Sequence, residues 1–193
     1  MIGICGCESG CGTTHLSIAL ANYAASKHGL RIACLELHPS DAFTQLSTFT
    51  SSPLSSGNVQ SMQYFTIYDV DYYPLLQKQD IPALMNAGYD YLILDFGPAS
   101  AIVYDELLRC DHKLVLGSLA PWRQMHFYDF CQKFLGKEEH EYFCFLVLHG
   151  EMHDILTFSK KCRISRKHIF SIPFIQNPFH ITKEQFSFLE KLL

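Results

Sequence analysis

The sequence has little charge and no extended basic segment. Of its 193 residues, 18% are charged and 48% are hydrophobic, and the formal net charge is −4. This composition excludes the low-hydrophobicity, high-charge class of disordered chains. Lysine and arginine cluster only at residues 160–167. Such a run is typical of a solvated helix or loop, so we do not expect nucleic-acid binding.

Long apolar runs and targeting signals are also missing. No stretch reaches about 18 consecutive apolar residues, which excludes a transmembrane helix. The amino-terminal residues lack the basic and apolar regions of a signal peptide, so we expect a cytoplasmic protein. Residues 181–193 place Phe186, Leu189 and Leu193 at helical spacing. Two interpretations remain open for this segment: a helix docked on the core, or an amphipathic tail that makes peripheral membrane contact.

Eight cysteines are present, but no Cys-x-x-Cys pair occurs among them. Most lie inside apolar segments, and in a chain that is not exported this favours buried free thiols over disulfides. Cys5, Cys7 and Cys11 differ because they cluster around a glycine-rich loop. For these three, a metal or redox role stays open beside the simpler interpretation of buried thiols.

Strand-like and helix-like patterns alternate along the chain. Strands are predicted at residues 2–5, 31–37, 62–68, 91–96, 113–116, 142–148 and 169–172, and helices at 14–27, 81–86, 104–109, 122–135, 152–162 and 181–193. Residues 47–61 predict a loop, and residues 72–74 predict a turn. Apolar strands joined by helices imply a sheet buried on both faces. We predict an α/β fold with a mostly parallel sheet and helices on both faces, forming a single domain over residues 1–193.

The first predicted strand leads directly into a glycine-rich loop and then a helix. Glycines let backbone amides turn toward one point, and the amino end of a helix adds the positive end of its dipole, so such a loop can cradle a phosphate. The residues predicted to surround that phosphate are Ser9, Gly10, Cys11, Gly12, Thr13, Thr14 and His15.

This loop resembles the deviant Walker A motif of the ParA/MinD family of P-loop NTPases, which reads Lys-Gly-Gly-x-Gly-Lys-Thr-Thr. In that resemblance Glu8 takes the place of the first lysine and Thr13 that of the catalytic lysine, while Thr14 matches the magnesium-binding threonine. The catalytic lysine offsets charge on the β- and γ-phosphates, which threonine cannot do. Glu8 would repel a nucleotide unless it points away.

Later segments resemble the same family in the expected order. Glu36 and His38 replace the two aspartates that follow the second strand, and Asp95 and Gly97 match the Walker B and switch region, where the aspartate meets magnesium. The resemblance thus implies magnesium ligands at Thr14 and Asp95 and switch residues at Glu36, Asp95 and Gly97. His38 is either a catalytic base or a polar surface residue. His149 falls where the family often places an asparagine that contacts the nucleotide base.

The resemblance implies a degenerate nucleotide-binding protein that takes Mg-ATP or ADP weakly or not at all. Weak or absent hydrolysis would suit a regulatory, localisation or scaffolding factor with a protein partner, as a monomer or homodimer. Degenerate members resemble localisation factors of pilus-assembly and secretion systems. Two alternatives remain: an active ATPase in which Arg123 replaces the lysine, or a nucleotide-independent scaffold. The scaffold would bind its partner through an aromatic-rich surface around Tyr64, Tyr68, Tyr72, Tyr73, Trp122 and Phe127. Most of these rings are expected in the core, because a chain with 13% aromatic residues must bury most of them.

Overall fold

The computed structural model describes residues 1–56, 62–133, 143–148 and 150–193. The strands are β1 Ile2–Gly6, β2 Ile32–Glu36, β3 Ser55–Ser56, β4 Gln63–Ile67, β5 Val70–Tyr73, β6 Tyr91–Pro98, β7 His112–Ser118, β8 Phe143–Leu148 and β9 Ile169–Ser171. The helices are α1 Thr13–His28, α2 Ala42–Phe49, α3 Ile81–Met85, α4 Ala101–Leu108, α5 Gln124–Gln132, α6 Met152–Cys162 and α7 Lys183–Leu189.

All these strands join in the order β3-β4-β5-β2-β6-β1-β7-β8-β9. The pairs from β5 to β9 are parallel, whereas β3–β4 and β4–β5 are antiparallel. The predicted α/β fold with a mostly parallel sheet is therefore confirmed. Because β6 lies between β2 and β1, the carboxyl ends of these three strands meet at one edge, where open parallel sheets place their ligand sites.

Two hydrophobic clusters cover the two faces of the sheet. One contains side chains of α1, α2 and α7, and the other contains side chains of α3, α4, α5 and α6. Strand β1 serves both faces, because Ile2 and Ile4 point into the first cluster and Cys5 into the second. Helix α1 packs closely because Ser17, Ala21 and Ala24 are fully buried against the sheet.

Two segments differ from the sequence prediction. Residues 42–49 form helix α2, which overlaps the start of the predicted loop at 47–61, and Ser55–Ser56 add a short strand. The predicted turn at residues 72–74 instead contains the end of strand β5, which stops at Tyr73 just before a proline. Several predicted positions lie outside the described residues: 57–61, the first residue of the predicted strand 142–148, residues 134–135 of the predicted helix 122–135, and His149.

The carboxyl-terminal helix is docked on the core. Leu189 and Leu192 are fully buried, and the Phe186 ring lies 5.2 Å from the Tyr23 ring of α1. The docked interpretation of residues 181–193 is the one the structure adopts, so the apolar side of this segment faces protein. Over the described part of the chain, none of the helices combines the length and apolarity that a membrane crossing requires.

The predicted aromatic surface is not present as one surface. Tyr72, Tyr73 and Phe127 are buried in the core, while Tyr68 and Trp122 are 72% and 81% exposed. The two exposed rings lie on different elements, at the β4–β5 turn and before α5. The core positions agree with the expectation for most of these rings, because aromatic rings on strands and on the inner side of α5 complete the core rather than face solvent.

Candidate functional site

The glycine-rich loop crosses the carboxyl edge of the sheet between β1 and α1. Its start is fixed by a hydrogen bond from the Cys7 amide to the Leu116 carbonyl oxygen, 2.8 Å. Gly10 and Gly12 have φ angles of +76° and +81°, in the left-handed region that favours glycine. Gly12 caps α1, and its carbonyl oxygen accepts the first helical bond from Leu16 at 3.0 Å. The free amides of the α1 amino end therefore face the space above the loop.

Three predicted site residues meet at one carboxylate oxygen. The Thr14 hydroxyl donates to Asp95 Oδ2 at 2.5 Å, and His38 Nε2 lies 3.2 Å from the same oxygen. The other oxygen of Asp95 accepts from the Gly97 amide at 3.1 Å. Asp95 is completely buried, and the His38 side chain is 14% exposed. His38 is thus neither a surface residue nor isolated, since it reaches from the end of β2 to the end of β6.

His38 and Gly97 also require each other sterically. Gly97 has a φ of +62°, and a Cβ built there would lie 2.5 Å from the His38 ring. Burial lowers the pKa of His38, but the hydrogen bond to Asp95 and the charges of Asp95 and Glu36 outweigh it, so the pKa is raised above its ordinary value. The imidazole is therefore held beside the Thr14–Asp95 pair by both charge and shape.

Glu36, the third predicted switch residue, lies away from this cluster. It is completely buried, and its Oε1 accepts hydrogen bonds from the Ser40 hydroxyl and, at 2.9 Å, from the Ala42 amide. Its Oε2 accepts from the Leu75 amide at 3.3 Å. The carboxylate therefore satisfies the amino end of α2 and the chain after β5, a capping role that sequence did not indicate.

A cleft of about 850 Å³ opens above the loop. It is lined by the seven predicted phosphate-binding residues, together with Glu8, Leu37, His38, Pro39, Ser40, Phe96, Pro98, Ser100 and Val103. None of these described lining residues is a lysine or an arginine. Thr13, at the position of the catalytic lysine, is only 7% exposed. The cleft thus has the backbone and hydroxyl groups for phosphate and a cation, without a fixed positive side chain.

A second cavity of about 380 Å³ adjoins the loop on its other side. His15 and Phe174 line it, and His15 Nε2 lies 2.8 Å from the Ile175 carbonyl oxygen. His15 therefore links α1 to the segment after β9 rather than facing the first cleft alone. Phe174 is 85% exposed at the rim. An apolar hollow next to a phosphate loop has the shape and chemistry to take a planar ring.

Arg123, which precedes α5, lies across the outside of the loop. Its Nε donates to Glu8 Oε1 at 2.5 Å and its Nη2 to the Ser9 carbonyl oxygen at 3.1 Å. His126 Nε2 is 3.7 Å from the other oxygen of Glu8. Glu8 is therefore turned toward a cation of its own chain, which weakens its repulsion of a bound phosphate. His126 is the member that sequence analysis missed, because nothing local links positions 8 and 126.

All eight cysteines are free in the structure. Cys5 and Cys11 are buried, and burial raises the pKa of both thiols, aided for Cys5 by the neighbouring Cys11 and Cys110. Within the described residues, no group of three or more His, Cys, Asp or Glu side chains is arranged to hold a metal. Cys7 is half-buried, and burial raises the pKa of its thiol as well, so the geometry favours unreactive thiols for all three loop cysteines.

Comparison by sequence finds no matching family model and no matching curated protein. Comparison of folds does find solved structures. A putative plasmid partition protein from Borrelia burgdorferi, bound to AMPPNP, is similar with a TM-score of 0.67 at 14% identity, covering 99% of this chain and 94% of that chain. The MinC:MinD cell division protein complex of Aquifex aeolicus gives 0.62 at 12%, covering 91% and 83%.

A ParA family ATPase from Chlorobium tepidum is also similar, with a TM-score of 0.57 at 13% identity over 91% of this chain and 85% of that chain. At identities of 12–14% these TM-scores show a shared fold and nothing more specific, and the coverage shows that the likeness extends over most of this chain and of each solved chain. The fold is that of the ParA/MinD P-loop ATPases.

Proposed function

We propose, starting from this ParA/MinD P-loop fold, that the chain is a degenerate nucleotide-binding protein with weak or no ATP hydrolysis. The observation that carries the proposal is the cleft above the loop. It keeps the left-handed glycines Gly10 and Gly12 and the Thr14–Asp95 pair, yet its described lining contains neither lysine nor arginine. Such a site can bind phosphate through backbone amides while offering little stabilisation to the charge that develops during hydrolysis.

The ligand in this proposal is ATP or ADP with a divalent cation, magnesium in the resemblance stated above. The residues present fit it. A Cβ at Gly12 would meet no atom within 4 Å, so the space above this residue is open. The cation would be held by the Thr14 hydroxyl and the Asp95 carboxylate, which offer the oxygen donors that hard divalent ions take. When bound, the cation would neutralise phosphate charge.

The cellular role in this proposal is regulatory: a cytoplasmic localisation or scaffolding factor that binds a protein partner, of the kind found in pilus assembly or secretion. Three features support it. The cleft lacks the lysine that would support hydrolysis, and it keeps the loop proposed to bind nucleotide. The apolar side chains of Trp122 and Met125 are 81% and 59% exposed, next to Arg123, which contacts the loop. We treat residues 1–193 as a single domain, because the described strands join one sheet.

The test is thermal unfolding with ATP, ADP and GTP at about 1 mM, each with and without a divalent cation. We expect adenine nucleotides to raise Tm by about 3 °C or more, because a ligand that binds only the folded state stabilises it. Gly12→Asp should abolish the shift, since it adds a carboxylate beside the phosphates. Gly29→Asp is the matched control: Gly29 has a φ of +63° and equally open surroundings, at the far end of α1. A shift that survives Gly12→Asp would refute the site.

A second candidate function, an active ATPase, is favoured by the position of Arg123. Its guanidinium already contacts the Ser9 carbonyl oxygen, and a Cβ on Gly10 would lie 4.0 Å from Nη2. A short movement away from Glu8 would bring this positive charge toward the phosphates. In that case Arg123 would supply the charge that the catalytic lysine supplies in P-loop enzymes.

A double-mutant cycle on Glu8 and Arg123 separates the two candidates. If Arg123 only neutralises Glu8, Arg123→Gln weakens nucleotide binding, Glu8→Gln strengthens it, and the double variant binds like the wild type. If Arg123 is the substitute cation, Arg123→Gln removes hydrolysis whether or not Glu8 is present. The measurements are fluorescent-nucleotide titration and phosphate release. Hydrolysis that Arg123→Gln abolishes in both backgrounds would overturn the leading proposal.

A further inference from the structure

His38 lies beside the Thr14–Asp95 pair, and its imidazole is a donor that magnesium seldom accepts. His38 Nε2 and Thr14 Oγ1 lie 3.2 Å and 2.5 Å from the same oxygen of Asp95. One nitrogen and two oxygens from three different segments therefore lie close together, with Asp95 Oδ2 in contact with both of the others. The sequence resemblance places an aspartate where this chain has His38, so the change replaces an oxygen donor by an imidazole.

The spacing of the three donors suits a metal ion. Ligands that bind one ion at about 2.1 Å stand about 3.0 to 3.4 Å apart in octahedral or tetrahedral arrangements. The separation of His38 Nε2 from Asp95 Oδ2, 3.2 Å, lies in that range, whereas the Thr14 hydroxyl, hydrogen-bonded at 2.5 Å, would have to move about 0.5 Å away from the carboxylate to share an ion with it. The surroundings hold the set in place, because Asp95 is completely buried and the Gly97 amide fixes its second oxygen.

Donor chemistry then decides the class of ion. Mg²⁺ takes oxygen ligands and keeps several waters, whereas imidazole nitrogen suits first-row transition metals. We propose that Thr14, Asp95 and His38 form a cation site that prefers a divalent transition metal such as Co²⁺ or Zn²⁺ to Mg²⁺. The inference rests on the proposed function, since the remaining positions on the ion would be filled by water or nucleotide phosphate.

The experiment is a calorimetric titration of the tag-free full chain with Co²⁺ and, separately, with Mg²⁺, in the absence of nucleotide. We expect one Co²⁺ per chain at the site, bound at least about tenfold more tightly than in His38→Asp. The His38→Asp variant, which restores the carboxylate, should gain in affinity for Mg²⁺. His153→Asp is the matched control, because His153 is an exposed histidine on α6.

A result in which His38→Asp binds Co²⁺ as tightly as the wild type would overturn the inference. Paramagnetic Co²⁺ offers a second readout that needs no variant, because it must shift the proton resonances of the His38 imidazole more strongly than those of any other histidine. Shifts confined to exposed histidines would equally overturn it. Fluorescent ADP binding in EDTA is measured in parallel. If the wild type binds Co²⁺ but no fluorescent ADP, only the proposed function fails. If it binds fluorescent ADP but shows no preference for Co²⁺ over Mg²⁺, only the metal preference fails.

Discussion

Threonine at position 13 is the single change with the largest chemical consequence for the loop. In the ParA/MinD family that the sequence resembles, a lysine at this position, the first of α1, carries a positive charge toward the phosphates. Here Thr13 is 7% exposed, and its methyl group would lie 3.2 Å from a Cβ on Gly6. It packs against the loop and offers no charge. The backbone of the cradle is therefore intact, while the side chain that completes it is absent.

Restoring the charge gives a direct prediction. Thr13→Lys should tighten the binding of fluorescent ATP by about tenfold or more, because a hydrogen bond to a charged group contributes about 1.5–3 kcal/mol. Thr13→Met, with similar length and no charge, is the control and should leave affinity near that of the wild type. Equal affinities for the lysine and methionine variants would show that the phosphates do not reach this end of the cleft.

At the scale of single elements, helix α2 shows why sequence analysis missed part of the fold. The sequence pattern predicts no element at residues 42–46, and the serine, threonine, proline and glycine content of residues 47–61 predicts a loop that includes the end of this helix. The helix forms because its amino end receives the buried carboxylate of Glu36 from strand β2. That contact is tertiary, and no sequence pattern within residues 42–49 indicates it. Strand β5 was missed because its last residues, Tyr72 and Tyr73, run into Pro74.

Glu36 gives a prediction for this element. Glu36→Gln should lower the free energy of unfolding by about 3 kcal/mol, because the amides of Ala42 and Leu75 would lose the charged acceptor that the buried side chain of Glu36 provides and face an NH₂ group. Urea unfolding followed by circular dichroism measures the change. Glu184→Gln in the first turn of α7 is exposed and should cost less than about 0.5 kcal/mol. Similar losses for both variants would contradict the capping role of Glu36.

At the scale of the whole molecule, charge at the loop bears on self-association. In the resembling family the first lysine crosses to a partner subunit when ATP closes a face-to-face dimer. Here Glu8 stands in that position and pairs with Arg123 and His126 of its own chain. The side chain at position 8 is therefore negative where the family has a positive one, and it is already paired with residues of its own chain.

We therefore expect the same molar mass in light scattering with ATP or ADP present as with neither. The wild type should stay a monomer, or a dimer that does not respond to nucleotide. Glu8→Lys tests the cause, since it restores the family's charge at this position and should introduce a response to ATP. A doubling of mass on addition of ATP to the wild type would show that the pair with Arg123 does not prevent closure.

The sequence by itself determined the α/β fold, the order of most strands and helices, and the position of the glycine-rich loop. These features depend on local information: apolar runs define the strands, the helical spacing of apolar residues defines α6, and glycine permits the φ angles at positions 10 and 12. Tertiary structure alone decided the partners of the charged side chains. His38 meets Asp95 across 57 residues and Glu8 meets Arg123 across 115, because neighbouring parallel strands bring distant chain segments to one edge of the sheet.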